Sequence, residues 1–403
     1  MSMRLKVQGT VGRGEHRGRA SGPVAFMATA IGTLSLAAGI ALAGINFQAP
    51  VPYATDTRPI DIAIGKLDGD GRKDIAVANR DGRTVSVLLG QGGGAFADAE
   101  NLETGGPQPQ GVAIGDLDDD GRQDLIAAGD DEVDQVLVFR GKAGGFRNPK
   151  SYPVPGSSNL SHVAVADLDR DGRLDVVVSD SDQEDRFSVY VLYGTANGLG
   201  APKRMKLRSN ERKGFSPESV EIADLDRDGV RDIAVTTFRG FAVWVLWGRG
   251  TKTSPKRDYN DKPYATAPFP LGLDTGDLDR DGRTDLVAAN DSSGGTTVSV
   301  LYAKRKRGFK PFVTYPAGSQ PQSVAIGKFN DDARPDIATA AFGDDEVQVL
   351  YGEPGGFAAP DGLPFQQDVI DVEAAQLDGE GGDDIVSALF NLERINVILS
   401  AGG

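Results

Sequence analysis

The chain contains no cysteine. Disulfides, thiolate metal sites and a cysteine nucleophile are therefore excluded. The absence does not assign a compartment, since many exported bacterial proteins do without disulfides. Histidine is nearly missing as well, with His16 and His162 the only two. Neither a histidine-based zinc site nor a two-histidine mechanism can be built from them. No helical period of useful length occurs after residue 45, and no nucleophile elbow, P-loop or zinc signature is present. Basic residues are outnumbered, leaving a formal charge of −15. That balance argues against a nucleic-acid partner.

What is abundant is aspartate, and it is periodic. In Asp116-Leu-Asp-Asp-Asp-Gly-Arg-Gln-Asp124, carboxylates stand at positions 1, 3, 5 and 9 and Gly121 at position 6. A hard cation takes six to eight oxygens, and alternate residues of a tight turn can present them together. Glycine at position 6 permits the left-handed backbone the turn needs. The same loop recurs as Asp167, Asp169, Asp171 and Asp175, then as Asp224, Asp226, Asp228 and Asp232. A fourth copy has Asp277, Asp279, Asp281 and Asp285. Three weaker copies begin at Lys66, Lys328 and Gln376. Position 1 recurs at intervals of 50, 51, 57, 53, 51 and 48 residues, which marks repeated blades or a solenoid.

Each repeat has three short apolar strands around the loop and a fourth, more polar stretch. Val112–Ile114, Leu125–Ala128, Val136–Phe139 and Pro149–Pro153 are the example from the second repeat. Nearly continuous apolar runs suit strands covered on both faces. Four-stranded sheets repeated radially describe an all-β, seven-bladed β-propeller. Only 27 residues follow Gln376, enough for two more strands. A spare edge-type segment, Phe47–Tyr53, precedes the first loop. The N-terminal strand is therefore predicted to complete the last blade and close the ring, leaving no raw edge.

Residues 1–22 are basic and 23–45 almost wholly apolar or small, ending Ala41-Leu-Ala43. This is the pattern of a secretory signal cleaved after Ala43, with an uncleaved membrane anchor as the alternative. Residues 44–403 then form the propeller, secreted or periplasmic, with no membrane span in the mature chain and expected to be a monomer.

Val77–Phe96, with its strand, turn, strand and glycine-rich tail, resembles the signature of FG-GAP/VCBS repeat proteins, whose blades also occur in integrin α-subunits. The resemblance covers residues 44–403 and implies calcium in the hairpin joining the first two strands of a blade. Calcium is expected in repeats 2 to 5, with the carbonyls of Arg122, Arg173, Val230 and Arg283 at position 7 as further ligands. The bland alternative is a solvated acidic turn. Four carboxylates so close repel one another without a cation. Repeats 1 and 6 have lysine at position 1, whose ammonium can replace the ion, and repeat 7 is left open. The metal's role is expected to be structural.

His162, Asp61, Gly111, Ser219, Gly272, Ser323 and Asp371 occupy one position in successive repeats. They are expected to ring the channel mouth opposite the metal loops, with the small residues leaving it open. Trp244 and Trp247 are expected to pack between blades. Basic residues cluster at Lys203, Arg204, Lys206 and Arg208, at Lys252, Lys256 and Arg257, and at Lys304–Arg307. They form a positive flank for an anionic glycan or membrane, or ordinary solvated charge. Acidic turns at Asp130–Glu132, Asp180–Glu184 and Asp344–Glu346 share the face of His162.

The function expected is a non-catalytic binding or adhesion module for an extracellular or envelope protein or glycan. The alternative is a carbohydrate-active lyase or hydrolase using Asp61, Asp371 and His162.

Overall fold

Second strands such as Asp74–Asn79 and Asp232–Thr237 are buried along their whole length. Successive side chains of a strand point to opposite faces, so both faces of these strands must be covered. The computed structural model shows how. It describes residues 47–130, 134–181, 188–207, 216–251, 254–291, 294–363 and 367–401, with 251 and 254–258 as backbone alone. All of these belong to the compact unit Gly39–Gly403. Residues 1–46, which hold the expected signal segment, lie outside the described residues.

Seven four-stranded antiparallel sheets follow one another. Their first strands are Pro59–Gly65, Gln108–Gly115, Leu160–Ala166, Pro217–Ala223, Pro270–Gly276, Pro321–Gly327 and Val369–Ala375. Each first strand packs against that of the next blade, and the last packs against the first, so they surround a central channel. In blade 7 the fourth strand is Val51–Ala54, which pairs with Arg394–Ile398 in the register Val51 to Val397 and Ala54 to Arg394. Phe47 is buried nearby and its ring lies 5.8 Å from that of Phe329 in blade 6.

The core is divided into seven apolar clusters, one at each contact between neighbouring blades. Blade 1 shows the alternation: Ile75 and Val77 pack toward blade 7, Ala76 and Ala78 toward blade 2. A fully buried valine or isoleucine contributes about 1.5–3 kcal/mol. Trp244 and Trp247 sit on opposite faces of blade 4, in the cores it shares with blades 3 and 5. Trp247 stacks on Phe309, with ring centroids 6.1 Å apart.

Two features were not expected. Small two-stranded hairpins, such as Gly141–Lys142 with Gly145–Phe146, occupy the glycine-rich turns of blades 1, 2, 3 and 6. In blade 4 the last two strands run on as one long hairpin, Ala242–Thr251 with Ser254–Ala265. Among the described residues no helix is long and apolar enough to cross a membrane.

Candidate functional site

The aspartate loops join the first and second strands of each blade. Gly121, Gly172, Gly229 and Gly282 are left-handed, with φ between 81° and 88°, where a β-carbon would be strained. This turn lets a ladder of backbone amides reach the carboxylates. The position 1 carboxylate accepts from the glycine amide, as Asp116 does from Gly121 at 2.7 Å and Asp224 from Gly229 at 2.9 Å. The position 5 carboxylate accepts from the amide of position 7, as Asp120 does from Arg122 at 2.9 Å. Asp171, Asp228 and Asp281 do the same for Arg173, Val230 and Arg283.

Oxygens of positions 1, 3 and 9 converge. In Asp116, Asp118 and Asp124 they lie within 4.8 Å of one another, and so do those of Asp167, Asp169 and Asp175. The sets Asp224, Asp226, Asp232 and Asp277, Asp279, Asp285 repeat the arrangement. One oxygen of Asp224 and one of Asp277 are buried without a hydrogen-bond partner. Clustered carboxylates with orphaned oxygens fit a hard cation such as calcium. Position 5 stands apart from the convergent sets. Asp120, Asp171 and Asp281 are paired with the guanidinium groups of Arg122, Arg173 and Arg283.

Position 9 does a second task that its spelling does not reveal. Asp124 accepts from Leu117 at one oxygen and from Gly141, just past the third strand, at the other. Asp74, Asp175, Asp232, Asp285, Asp336 and Asp384 make the same pair of bonds in the other six blades. Burial pushes the carboxyls of Asp175, Asp232 and Asp285 up to about 7 against the lowering effect of those amides.

Protein cations also enter the loops. Arg140 reaches Asp118 and Asp124 in blade 2. Arg307, from the basic turn of blade 5, bridges Asp226 and Asp228 of blade 4. Part of the expected positive flank is thus committed to a neighbouring loop. Lys203, Lys206, Lys304, Arg305 and Lys306 are exposed. Arg208, Lys252 and the side chains of Lys256 and Arg257 lie outside the described residues, as do Asp131, Glu132, Asp182 and Glu184.

The three weaker loops differ individually. Lys66 and Lys328 are exposed, and among the described residues no ion pair joins either to a loop carboxylate. In blade 6, Ala333 and its neighbours lack a left-handed residue. In blade 7 the Gln376 amide nitrogen donates to the carbonyls of Glu380 and Gly382, each at 2.8 Å. Its oxygen accepts from Gly379 at 2.7 Å. A neutral amide closes this loop from within.

At the other end of the first strands, every blade has a register shift beside its second strand, as between Pro59 and Asp61. Such bulges re-aim side chains. Asp61, His162, Ser219, Gly272, Ser323 and Asp371 line a cavity of about 480 Å³. The glycines here serve strand approach. A β-carbon on Gly272 would lie 2.7 Å from the Ser323 Cα, and one on Gly111 3.0 Å from the His162 Cα. Asp61 accepts from Val112 of blade 2 at 2.6 Å, and Asp371 from Ile62 of blade 1 at 2.9 Å. His162 Nε2 is 3.6 Å from Asp61. Burial holds the imidazole below its ordinary value.

Sequence reasoning missed the deeper acids Glu221, Asp274 and Glu373. Two residues beyond the mouth position, the first strand has alanine in blades 1, 2, 3 and 6 and an acid in these three. That contrast was the available signal. Burial, then mutual repulsion, pushes Glu221 and Glu373 well up. Burial pushes Asp61 and Asp371 up to about 7 and Asp274 up to about 6.

Solved structures with this plan include two crystal structures of BBS1N in complex with ARL6DN, one soaked with mercury and one with lead. Both align with a TM-score of 0.58, at 12% and 11% identity, covering 88% of this chain and 97% of theirs. At that identity the likeness is one of fold. No curated protein matches the chain. A family profile described as FG-GAP-like repeat matches residues 66–127, 116–178, 224–288 and 277–339, more than half of the sequence. The chain belongs to the FG-GAP-like repeat family and builds from it a seven-bladed β-propeller.

Proposed function

We propose that the protein is an exported, calcium-stabilised propeller that acts as a non-catalytic binding module for a protein or glycan of the cell envelope. The observation that carries the reading is the convergence of three carboxylates in each of four loops, two of them with orphaned buried oxygens. Asp116, Asp118 and Asp124 and their counterparts would hold calcium, joined by Asp120, Asp171, Asp228 and Asp281. The carbonyls of Arg122, Arg173, Val230 and Arg283 would complete the shell. Calcium bound by the folded state alone raises stability by mass action. Residues 1–43 would direct export.

A ring whose loops are pinned on one face leaves the opposite face, with its channel mouth, for recognition. BBS1N, of the same plan, was solved in complex with ARL6DN. That complex is BBS1N's own, and it supports reading a propeller of this plan as a platform for another protein.

Two measurements test the proposal. The melting temperature should rise on adding calcium to chelated protein, and tagged protein should retain a specific partner from envelope extract only with calcium present. Turnover of a polysaccharide that is lost in Asp61→Asn and Asp371→Asn would replace the binding module by a carbohydrate-active enzyme.

A further inference from the structure

The central channel is acidic beyond anything the ring itself requires. Asp61, Glu218, Glu221, Asp371 and Glu373 line its cavity, and no lysine or arginine does among the described residues. Asp274 is close enough to interact with both Glu221 and Glu373. A cleft lined by one sign of charge between apolar walls concentrates its field on an approaching counter-ion.

Three of these acids have a structural use. Asp61, Asp371 and Asp274 each accept a backbone amide from the following blade, those of Val112, Ile62 and Ile326. Glu373 does not. It is half-buried, lines the cavity, and has no hydrogen-bond partner among the described residues. Four other carboxylates, Asp371, Asp274, Asp61 and Glu221, repel it. Ionising an acid in that position without a partner is costly, and a cation bound beside it would supply the missing charge.

The spacing indicates the kind of ligand. Calcium oxygens lie 2.3–2.6 Å from the ion, so its ligands must crowd together as they do in the four loops. Among the described residues no three channel acids bring oxygens within 4.8 Å of one another. Acceptors spread around a wider cavity suit a larger cation with several N–H donors.

We propose that the central channel binds an organic cation bearing ammonium or guanidinium groups, with Glu221 and Glu373 as its principal acceptors. The inference deepens the binding-module reading by naming the chemistry of the ligand. That cation is a free polyamine or a basic side chain of a bound protein.

Calorimetry at low ionic strength and saturating calcium, which occupies the loops, tests this with spermidine and with a tetra-lysine peptide. One of the two is expected to bind saturably at one site per chain, and the better binder tells free amine from side chain. Glu221→Gln/Glu373→Gln should weaken that binding about tenfold or more, as loss of a buried charge partner does. Its melting temperature should be no lower than that of the natural chain, because a repulsion has been removed. Glu373→Gln alone serves if the double variant folds poorly. No saturable binding, or binding indifferent to these variants, overturns the proposal. Either result leaves partner capture from envelope extract untouched, so the two readings fail separately.

Discussion

Asp336 stands in a loop that begins with Lys328 and is not among the convergent carboxylate sets, yet it is buried and doubly hydrogen-bonded like its six counterparts. Its two partners are the amides of Phe329 and Gly352. Replacing it by alanine strands both, and an unsatisfied buried polar group costs roughly 1–3 kcal/mol. Asp336→Ala should therefore destabilise the fold by about 2–5 kcal/mol in urea titration, with the same loss in calcium and in chelator. An effect confined to calcium-loaded protein would show that position 9 acts only through metal. Arg307 offers the converse case. Its guanidinium bridges Asp226 and Asp228, where it would compete with a divalent ion for the same oxygens. Arg307→Met should widen the difference in melting temperature between calcium-loaded and chelated protein. A narrower difference would mean that the arginine supports the metal rather than displacing it.

At the scale of the strand, close approach of backbones decides what a position tolerates. Gly272 lies where the first strands of blades 5 and 6 nearly touch, with the Gln322 carbonyl 2.8 Å and the Ser323 Cα 2.7 Å from any added β-carbon. Gly272→Ala should cost about 1–3 kcal/mol, the range for overpacking, although the residue borders a cavity. A neutral result would mean that the strands part easily and that glycine was there to keep the mouth open. The strands themselves were legible in the sequence because burial on both faces is written directly as runs such as Leu125–Ala128. The spare segment Phe47–Tyr53 was legible as the missing edge of the last blade by simple arithmetic of strands. The clefts between elements were less so. Gln376 looks like a degraded ligand, and only its contacts show an amide closing the loop. The acids Glu221, Asp274 and Glu373 lie in three different repeats, and ring closure alone brings them together. The strand approach at Gly111 and Gly272 depends on a bulge that no residue type announces.

For the ring as a whole, the channel acids and calcium-loaded aspartate loops would place opposite demands on pH. Asp61 and Asp371 are raised from 3.8 to about 7 by burial first and, for Asp371, by the neighbouring Asp61. Glu221 and Glu373 are raised well up by burial and by the same group of acids, and the basic side chain His162 faces Asp61 and Asp371. A carboxyl whose folded value exceeds its unfolded value binds more protons in the folded state. Its favourable contribution is complete below the unfolded value and is lost as pH rises through the folded one. In chelated protein the position 9 acids Asp175, Asp232 and Asp285, also near 7, act in the same direction. Chelated protein should thus melt at higher temperature at pH 5.5 than at pH 8, roughly the span over which these carboxyls ionise. Glu221→Gln/Glu373→Gln should flatten the slope and raise the pH 8 value. With calcium present the trend should reverse, because protons then compete with the ion for the loop carboxylates. A chelated protein that melts higher at pH 8 would mean that the channel acids find counter-charges in the folded ring, and the repulsion argued from Glu373 would fall with it.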